Sequence, residues 1–456
     1  MRPDWQSDFR RRAAVVIVAA MIVATAVPTA AATTASATDG VGPSEVIYLD
    51  RCATLDEAGT YVLDRTVRST AGDCFTVTAD DVTLLGAGHA VIAVNATVNA
   101  TGSAVVADGV TGLHVEGIDA VNWWHGTVVA DATDVTILNV TVHNAGGAGV
   151  RISDADAVRV ANGSVTGAGG HGIAVLESEG VTVGRMRLAN NTGDGISVRQ
   201  SDATTVRAST IANNGGIGVS VAADSDPIER RPAVPAWLLP LLGDGGFEGL
   251  GGLVAPAEAA PDRPSVPVAD NRIAGNRYEG VFIRGQNESR VSGNVVSGAT
   301  DGIRLVNVSD GTVAGNNVSA SIDDGIALSS ARETTVSENH VTGNADDGVY
   351  VFGPDNLVVN NTLARNGDDG VDLDNGVDNH VVSNVAHDNV DDGVFLRESD
   401  GNVVARNVLR DNTDDGFDIR GSTGNAIHNN TVCRNANRDM QVRLGVEGND
   451  VRANTC

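Results

Sequence analysis

From about residue 75 to residue 445 the chain alternates apolar and polar positions in short bursts, each following a glycine. After Gly348 come Val349, Tyr350, Val351 and Phe352; after Gly370, Val371, Asp372, Leu373 and Asp374; after Gly416, Phe417, Asp418, Ile419 and Arg420. A period of two marks a strand, and the units are too rich in Val, Thr, Asn and Gly for paired helices. The glycines recur at 302, 325, 348, 370, 393 and 416, in steps of 22 or 23, and upstream at 126, 149, 172, 195 and 218, each 23 apart. So strict a period predicts a solenoid, whose units bury their apolar faces only against their neighbours.

We expect three short strands per coil, stacked in parallel with a right-handed winding, so that residues one period apart stand about 4.8 Å from one another. Asparagines recur at 294, 316, 339, 361, 384, 407 and 430, and again at 344, 366, 389, 412 and 435. Stacked amides at turns predict hydrogen-bonded ladders. The repeated glycine is expected to supply a positive φ. Cys52 and Cys74 lie one period apart, as do Cys433 and Cys456, which predicts a disulfide at each end of the solenoid and an oxidising compartment.

These repeats resemble the right-handed parallel β-helix of the pectate-lyase-like class, and within it the NosD-like and carbohydrate-binding-and-sugar-hydrolysis repeat proteins. The resemblance implies an all-β, single-stranded right-handed solenoid of the pectin-lyase-like fold, with 22–23 residues per coil and about 15 coils. NosD-like proteins are associated with copper insertion, but the nine histidines are scattered and no Cys or His pair has ligand spacing, so copper is not expected. Related enzymes cleave or epimerise polyuronic acids, with Asp-bound calcium and a basic residue on an outer sheet face.

Residues 1–37 read as an export signal: Arg10, Arg11 and Arg12 precede an apolar run from Ala13 to Val27 that is short for a membrane span. The adjacent arginines suit twin-arginine export, and an uncleaved anchor is the other reading. Residues 38–223 and 269–456 are read as the two parts of the solenoid, the second carrying the DDG repeats, with no stable transmembrane span in the mature chain. The insertion at 224–268 holds prolines at 227, 232, 235, 240, 256, 261, 264 and 267 around PAWLLPLL and cannot continue the sheets. A short helix from Pro235 could make it a lid or a partner patch, or it is a loop folded on its scaffold. Nothing in the sequence fixes the oligomeric state.

Formal charge is −27 and every basic residue is arginine, which leaves no basic patch for nucleic acid and resembles proteins of salt-loving archaea. Sequons begin at Asn95, Asn99, Asn139, Asn162, Asn190, Asn287, Asn307, Asn317, Asn360 and Asn429, and some are expected to be ladder asparagines.

The acid is concentrated in two columns before the glycines: Asp323, Asp346, Asp368, Asp391 and Asp414, then Asp324, Asp347, Asp369, Asp392 and Asp415. Vertical neighbours repel by about 0.9 kcal/mol in water at about 4.8 Å, and by more at a low-dielectric surface. Bound cations, hydrogen bonds from turn amides, or molar salt can offset this. The second column is accordingly a candidate calcium stripe, while aspartate as an ordinary turn-former is the plainer reading.

Past each glycine, two further columns are expected to face outward. One holds Phe282, Arg304, Ala327, Tyr350, Asp372, Phe395 and Asp418; the other holds Arg284, Val306, Ser329, Phe352, Asp374, Arg397 and Arg420. Sugars stack on aromatic rings and arginine pairs with carboxylates, so Tyr350, Phe352 and Phe395 are candidate carbohydrate contacts. By resemblance Asp372, Asp374, Arg397, Asp418 and Arg420 are candidate catalytic groups for a lyase, epimerase or hydrolase, though an Asp–Arg ladder that only holds the surface together fits equally. The GHG at Gly170, His171 and Gly172 is similar to a polygalacturonase motif, yet the paired aspartates follow it, the Arg-x-Lys element is missing, and so is the Asp-Pro-His-Asp of alginate epimerases. The functions left open are a secreted or cell-surface module binding, or modifying, an acidic polysaccharide or envelope glycan; a noncatalytic envelope structural or adhesion protein using the solenoid as a rod; and, by resemblance, a NosD-like copper-handling accessory protein.

Overall fold

A computed structural model describes residues 46–70, 72–94, 102–223, 265–442 and 447–456. The expected export signal and most of the proline-rich insertion, with its expected helix, lie outside the described residues. Every described element is a strand, and the strands form three parallel sheets of 16, 17 and 15 strands. One coil shows the plan: Val349–Phe352 lies in the first sheet, Leu357–Val359 in the second, Thr362–Ala364 in the third, and Val371–Asp374 returns to the first.

The register pairs residues one period apart, as in Val349 with Val371, Tyr350 with Asp372 and Val351 with Leu373. Val349, Val351, Val358, Leu363, Val371 and Leu373 are all fully buried, each in a column of its own kind. Burying such a side chain contributes about 1.5–3 kcal/mol, and β-branched residues suit both the strand and the narrow interior. The solenoid passes across the insertion without a break, because Ile211 pairs with Ile273 and the Asn214 amide donates to Asn276 at 2.9 Å. The second sheet resumes at Pro267, the first residue of its strand.

Corners are held by asparagine. At Asn384, Oδ1 accepts the Asn361 backbone N–H at 2.9 Å and its side-chain N–H at 3.0 Å, while Nδ2 donates to Val358 O at 2.8 Å and Asn407 Oδ1 at 3.1 Å. All the capacity of the amide is used. The two expected ladders are present, and a third, overlooked in the sequence, runs through Asn356, Asn379, Asn402, Asn425 and Asn449 between the first and second sheets.

The recurring glycine has a different reason from the one expected. Gly370 and its counterparts are not among the positive-φ residues, which around this coil include Asp355, Asn360, Arg365, Asn375 and Asp378. A Cβ on Gly370 would lie 2.5 Å from the Gly393 carbonyl oxygen and 2.6 Å from the Ala386 Cβ. Close approach of successive coils excludes a side chain there. None of the described sequon asparagines is a rung of the three ladders; Asn360 and Asn429 hold the positive-φ position just before Asn361 and Asn430.

Both disulfides form, with Cα atoms 4.4 Å apart for Cys52–Cys74 and 4.9 Å apart for Cys433–Cys456.

Truncating a rung should be costly. Asn384→Ala strands buried donors on Asn361 and the Val358 carbonyl, at about 1–3 kcal/mol for each group left unpaired. We expect a clear fall in the urea midpoint beside the exposed Asn317→Ala, which should be near neutral; equal midpoints would show that the ladder contributes nothing.

Candidate functional site

The two aspartate columns occupy the turn between the third and first sheets. The second column is buried: Asp324 is 8% exposed, Asp347 4%, Asp369 2% and Asp392 1%. Each carboxylate accepts the backbone N–H of the next aspartate in the column, at 2.9 Å for Asp347 to Asp369, 2.7 Å for Asp369 to Asp392 and 2.8 Å for Asp392 to Asp415. An amide in this position would also donate onward, but a carboxylate only accepts. Asp392 accordingly keeps its Oδ2 buried without a partner, as Asp301 keeps its Oδ1.

The turn itself does not require acid. The same position is filled by Ala148, His171 and Ile217 in earlier coils, where Gly149 donates to His171 O at 3.0 Å and Gly195 to Ile217 O at 2.9 Å, just as Gly370 donates to Asp392 O at 2.9 Å. His171 takes the aspartate's role, its Nδ1 accepting the Asp194 N–H at 3.0 Å. His125 faces the Ala148 carbonyl at 3.0 Å, and burial lowers its pKa.

Burial holds Asp324, Asp347 and Asp369 far above the usual carboxylate range, and the surrounding aspartates add to the effect. Asp392 is pushed up to about 8 by burial, against the lowering effect of the Asp415 N–H. In the more open first column, burial and the neighbouring Asp346 and Asp391 push Asp368 up to about 6. Among the described residues, three carboxylates come within 4.8 Å of one another in four places: Asp301, Asp323 and Asp324; Asp346, Asp347 and Asp368; Asp368, Asp369 and Asp391; Asp391, Asp392 and Asp414. These groups draw on both columns and on Asp301, which precedes Gly302 in the same register but follows Thr300 and so lacks the paired-aspartate signature. Asp415, expected in the stripe, belongs to none of them.

The strands after the turn form the second feature. Tyr350, Asp372, Phe395 and Asp418 succeed one another up one column of the first sheet, and Asp374, Arg397 and Arg420 up the next. The expectation that both columns are open to solvent is corrected here: Asp372 is 6% exposed, Phe395 7% and Asp418 fully buried, because arginines lie across them. The Arg420 guanidinium sits 4.5 Å above the Phe395 ring and donates to Asp418 at 2.7 Å. Arg397 grips Asp374 in a two-pronged pair at 3.2 and 3.1 Å and stands 3.8 Å from Asp372, while the Tyr350 hydroxyl donates to Asp374 at 3.3 Å. Tyr350, Phe352, Arg397 and Arg420 remain partly exposed. Burial pushes Asp372 up to about 8 against the pull of Arg397, and raises Tyr350 above its ordinary value with help from Asp374. The eight candidate residues therefore lie on four successive coils of the first sheet, with Asp418 fully buried among them.

The donor sets in the turn are hard oxygen throughout, which suits calcium and not copper. A family model described as periplasmic copper-binding protein (NosD) matches residues 262–384. That segment holds two histidines, His340 in the third sheet and His380 in the second, with neither cysteine nor methionine. No curated protein matches the sequence.

Several solved structures are similar to the chain at low identity. A periplasmic alginate epimerase, AlgG, is similar over 70% of this chain and 76% of its own, with 14% identity and a TM-score of 0.45. A mannuronan C-5 epimerase A-module from Azotobacter vinelandii is similar over 87% of this chain and 90% of its own, with 16% identity and a TM-score of 0.32. The catalytic domain of a GH87 alpha-1,3-glucanase covers 71% of this chain and 59% of its own, with 12% identity and a TM-score of 0.45. None of these likenesses bears on activity. A family model for the right-handed β-helix region matches residues 103–229 and 324–455, more than half of the chain, and with the three parallel sheets in register it is to this right-handed β-helix family that the chain belongs.

Proposed function

We propose that the chain is an exported surface protein that holds an acidic polysaccharide along the first sheet, across Tyr350, Phe352, Phe395, Arg397 and Arg420. The observation carrying this reading is the stack of guanidinium over ring at Phe395, with partly exposed Tyr350 and Phe352 two coils away on the same sheet. In a chain of formal charge −27, cations laid over an aromatic strip are what a sugar carboxylate and a sugar ring would recognise together. Paired cysteines at both ends support export, since such bonds persist in oxidising compartments.

Modification of the ligand is the further step of this reading. Asp372, with one oxygen unpartnered and its proton held to about pH 8, would be the acid or base beside a sugar carboxylate anchored on Arg397. The rod is the second reading, and the internal pairing of Arg397 with Asp374 and of Arg420 with Asp418 favours it.

The readings separate by mutation. Arg397→Gln and Tyr350→Ala are each expected to weaken binding of a polyuronate, followed by calorimetry in chelator, about tenfold, equivalent to roughly 1.4 kcal/mol. Asp374→Asn removes the main counter-ion of Arg397 and should tighten binding; a rod would only lose stability. No affinity for any of a panel of polyuronates would sink the proposal.

Turnover has its own readout. Unsaturated ends or altered sugar composition should form with the wild-type protein and fall at least 100-fold in Asp372→Asn, the usual scale for a lost acid–base group. An unchanged polymer would leave binding without chemistry.

A further inference from the structure

The geometry points to a row of divalent-cation sites, calcium by preference, built into the turn before the first sheet, in which successive ions share aspartates. It stands apart from the glycan reading and needs no ligand on the sheet face.

Three of the carboxylate groups form an unbroken series. Asp368 belongs both to the group with Asp346 and Asp347 and to the group with Asp369 and Asp391; Asp391 belongs in turn to the group with Asp392 and Asp414. A fourth group, Asp301 with Asp323 and Asp324, lies one coil away and shares no residue with them. Acidic clusters occur on many surfaces without binding anything. What distinguishes this one is burial without partners: Asp392 is 1% exposed with Oδ2 unpaired, and Asp301 is 1% exposed with Oδ1 unpaired. Each is a member of a group whose other carboxylates stand within reach of a shared ion.

Charge supports divalent ions. The series of three groups holds seven aspartates, which three doubly charged ions nearly neutralise. In the separate group Arg304 already pairs with Asp301 at 2.9 Å, leaving about two negative charges for one more ion. Calcium tolerates the irregular, carboxylate-rich geometry of stacked turns, taking about 6–8 oxygens with water completing the shell, whereas magnesium demands a near-ideal octahedron.

Without cations, protons must do this work. The Asp392 carboxyl is faced by Asp391 beside it, Asp369 and Asp415 in the coils below and above, and Asp418 and Arg420 across the strand. Asp346 and Asp391 stand within hydrogen-bonding reach of Asp323 and Asp414 respectively, so that neighbouring coils can share a proton. Because the folded pKa values are raised, the native state binds more protons than the unfolded chain, and stability is lost as pH rises from the ordinary carboxylate value to about 8, where Asp372 and Asp392 ionise. Calcium should displace those protons and flatten the loss.

The test is a calcium titration of the chelator-stripped full-length protein in 0.1 M NaCl, about the screening of ordinary buffers. Equilibrium dialysis is expected to find about four bound ions, with proton release near neutral pH and a higher melting temperature. Asp391→Asn, which touches two groups, should lose about two ions; Asp323→Asn, which touches one, should lose about one; the exposed Asp388→Asn, outside the row, should lose none. In chelator, melting temperature should fall from pH 5 to 8, and millimolar calcium should remove most of that slope. Absence of saturable binding in the wild-type protein at millimolar calcium would overturn the proposal even if a variant failed to fold. Undiminished stoichiometry in a folded Asp391→Asn would overturn the shared row. Because glycan binding is measured in chelator, failure of either proposal leaves the other standing.

Discussion

The step of about 4.8 Å between parallel coils governs this molecule, because it makes each residue the neighbour of the residues 22 or 23 places before and after it. A side chain must therefore suit its own kind. Valine on valine packs; asparagine on asparagine satisfies every lone pair and N–H; glycine on glycine lets a carbonyl approach where a Cβ would collide. Aspartate on aspartate is the exception, an acceptor facing another acceptor in a buried turn.

That constraint also explains what the sequence made legible. The strands, the register and both disulfides followed from the period alone, since a vertical neighbour is a sequence neighbour one coil away. The regular spacing of the third ladder, Asn356 to Asn449, is equally present in the sequence, but its rungs follow turn segments that vary between coils, which masks the repeat. The role of Gly370 was misjudged because backbone strain belongs to one residue, whereas the obstruction comes from the carbonyl of the next coil. Alternation told which side of the first sheet Asp372 and Phe395 take. It could not tell that Arg397 and Arg420 would lie over them, because long side chains choose their partners in three dimensions.

The two charged features of the later coils meet the same problem in opposite ways. On the sheet face both signs are present, so Arg397 pairs with Asp374 and Arg420 with Asp418, and the charges neutralise one another. In the turn the sign is constant from Asp301 to Asp415, although Ala148 and Ile217 show that the backbone accepts uncharged residues there. A solenoid selected only for stability would have no use for such a column. The carboxylates of Asp369 and Asp392 each accept a backbone N–H of the next coil, yet Asp392 and Asp301 each keep one buried oxygen unpaired.

The turn and the face are electrostatically one system. The proton on Asp372 is held first by burial, against Arg397, and further by Asp374, Asp368 and Asp346; Asp347 and Asp369 are raised in turn by Asp372. Were cations bound in the turn as proposed, they would remove part of that negative field, and the Asp372 carboxyl would give up its proton more readily. An ionised Asp372 competes with Asp374 for Arg397 and changes what the guanidinium offers a carboxylate from outside. Occupancy of the row would thereby set the charge of the face through space, without movement of the backbone, because the stacked coils hold both features at fixed distance.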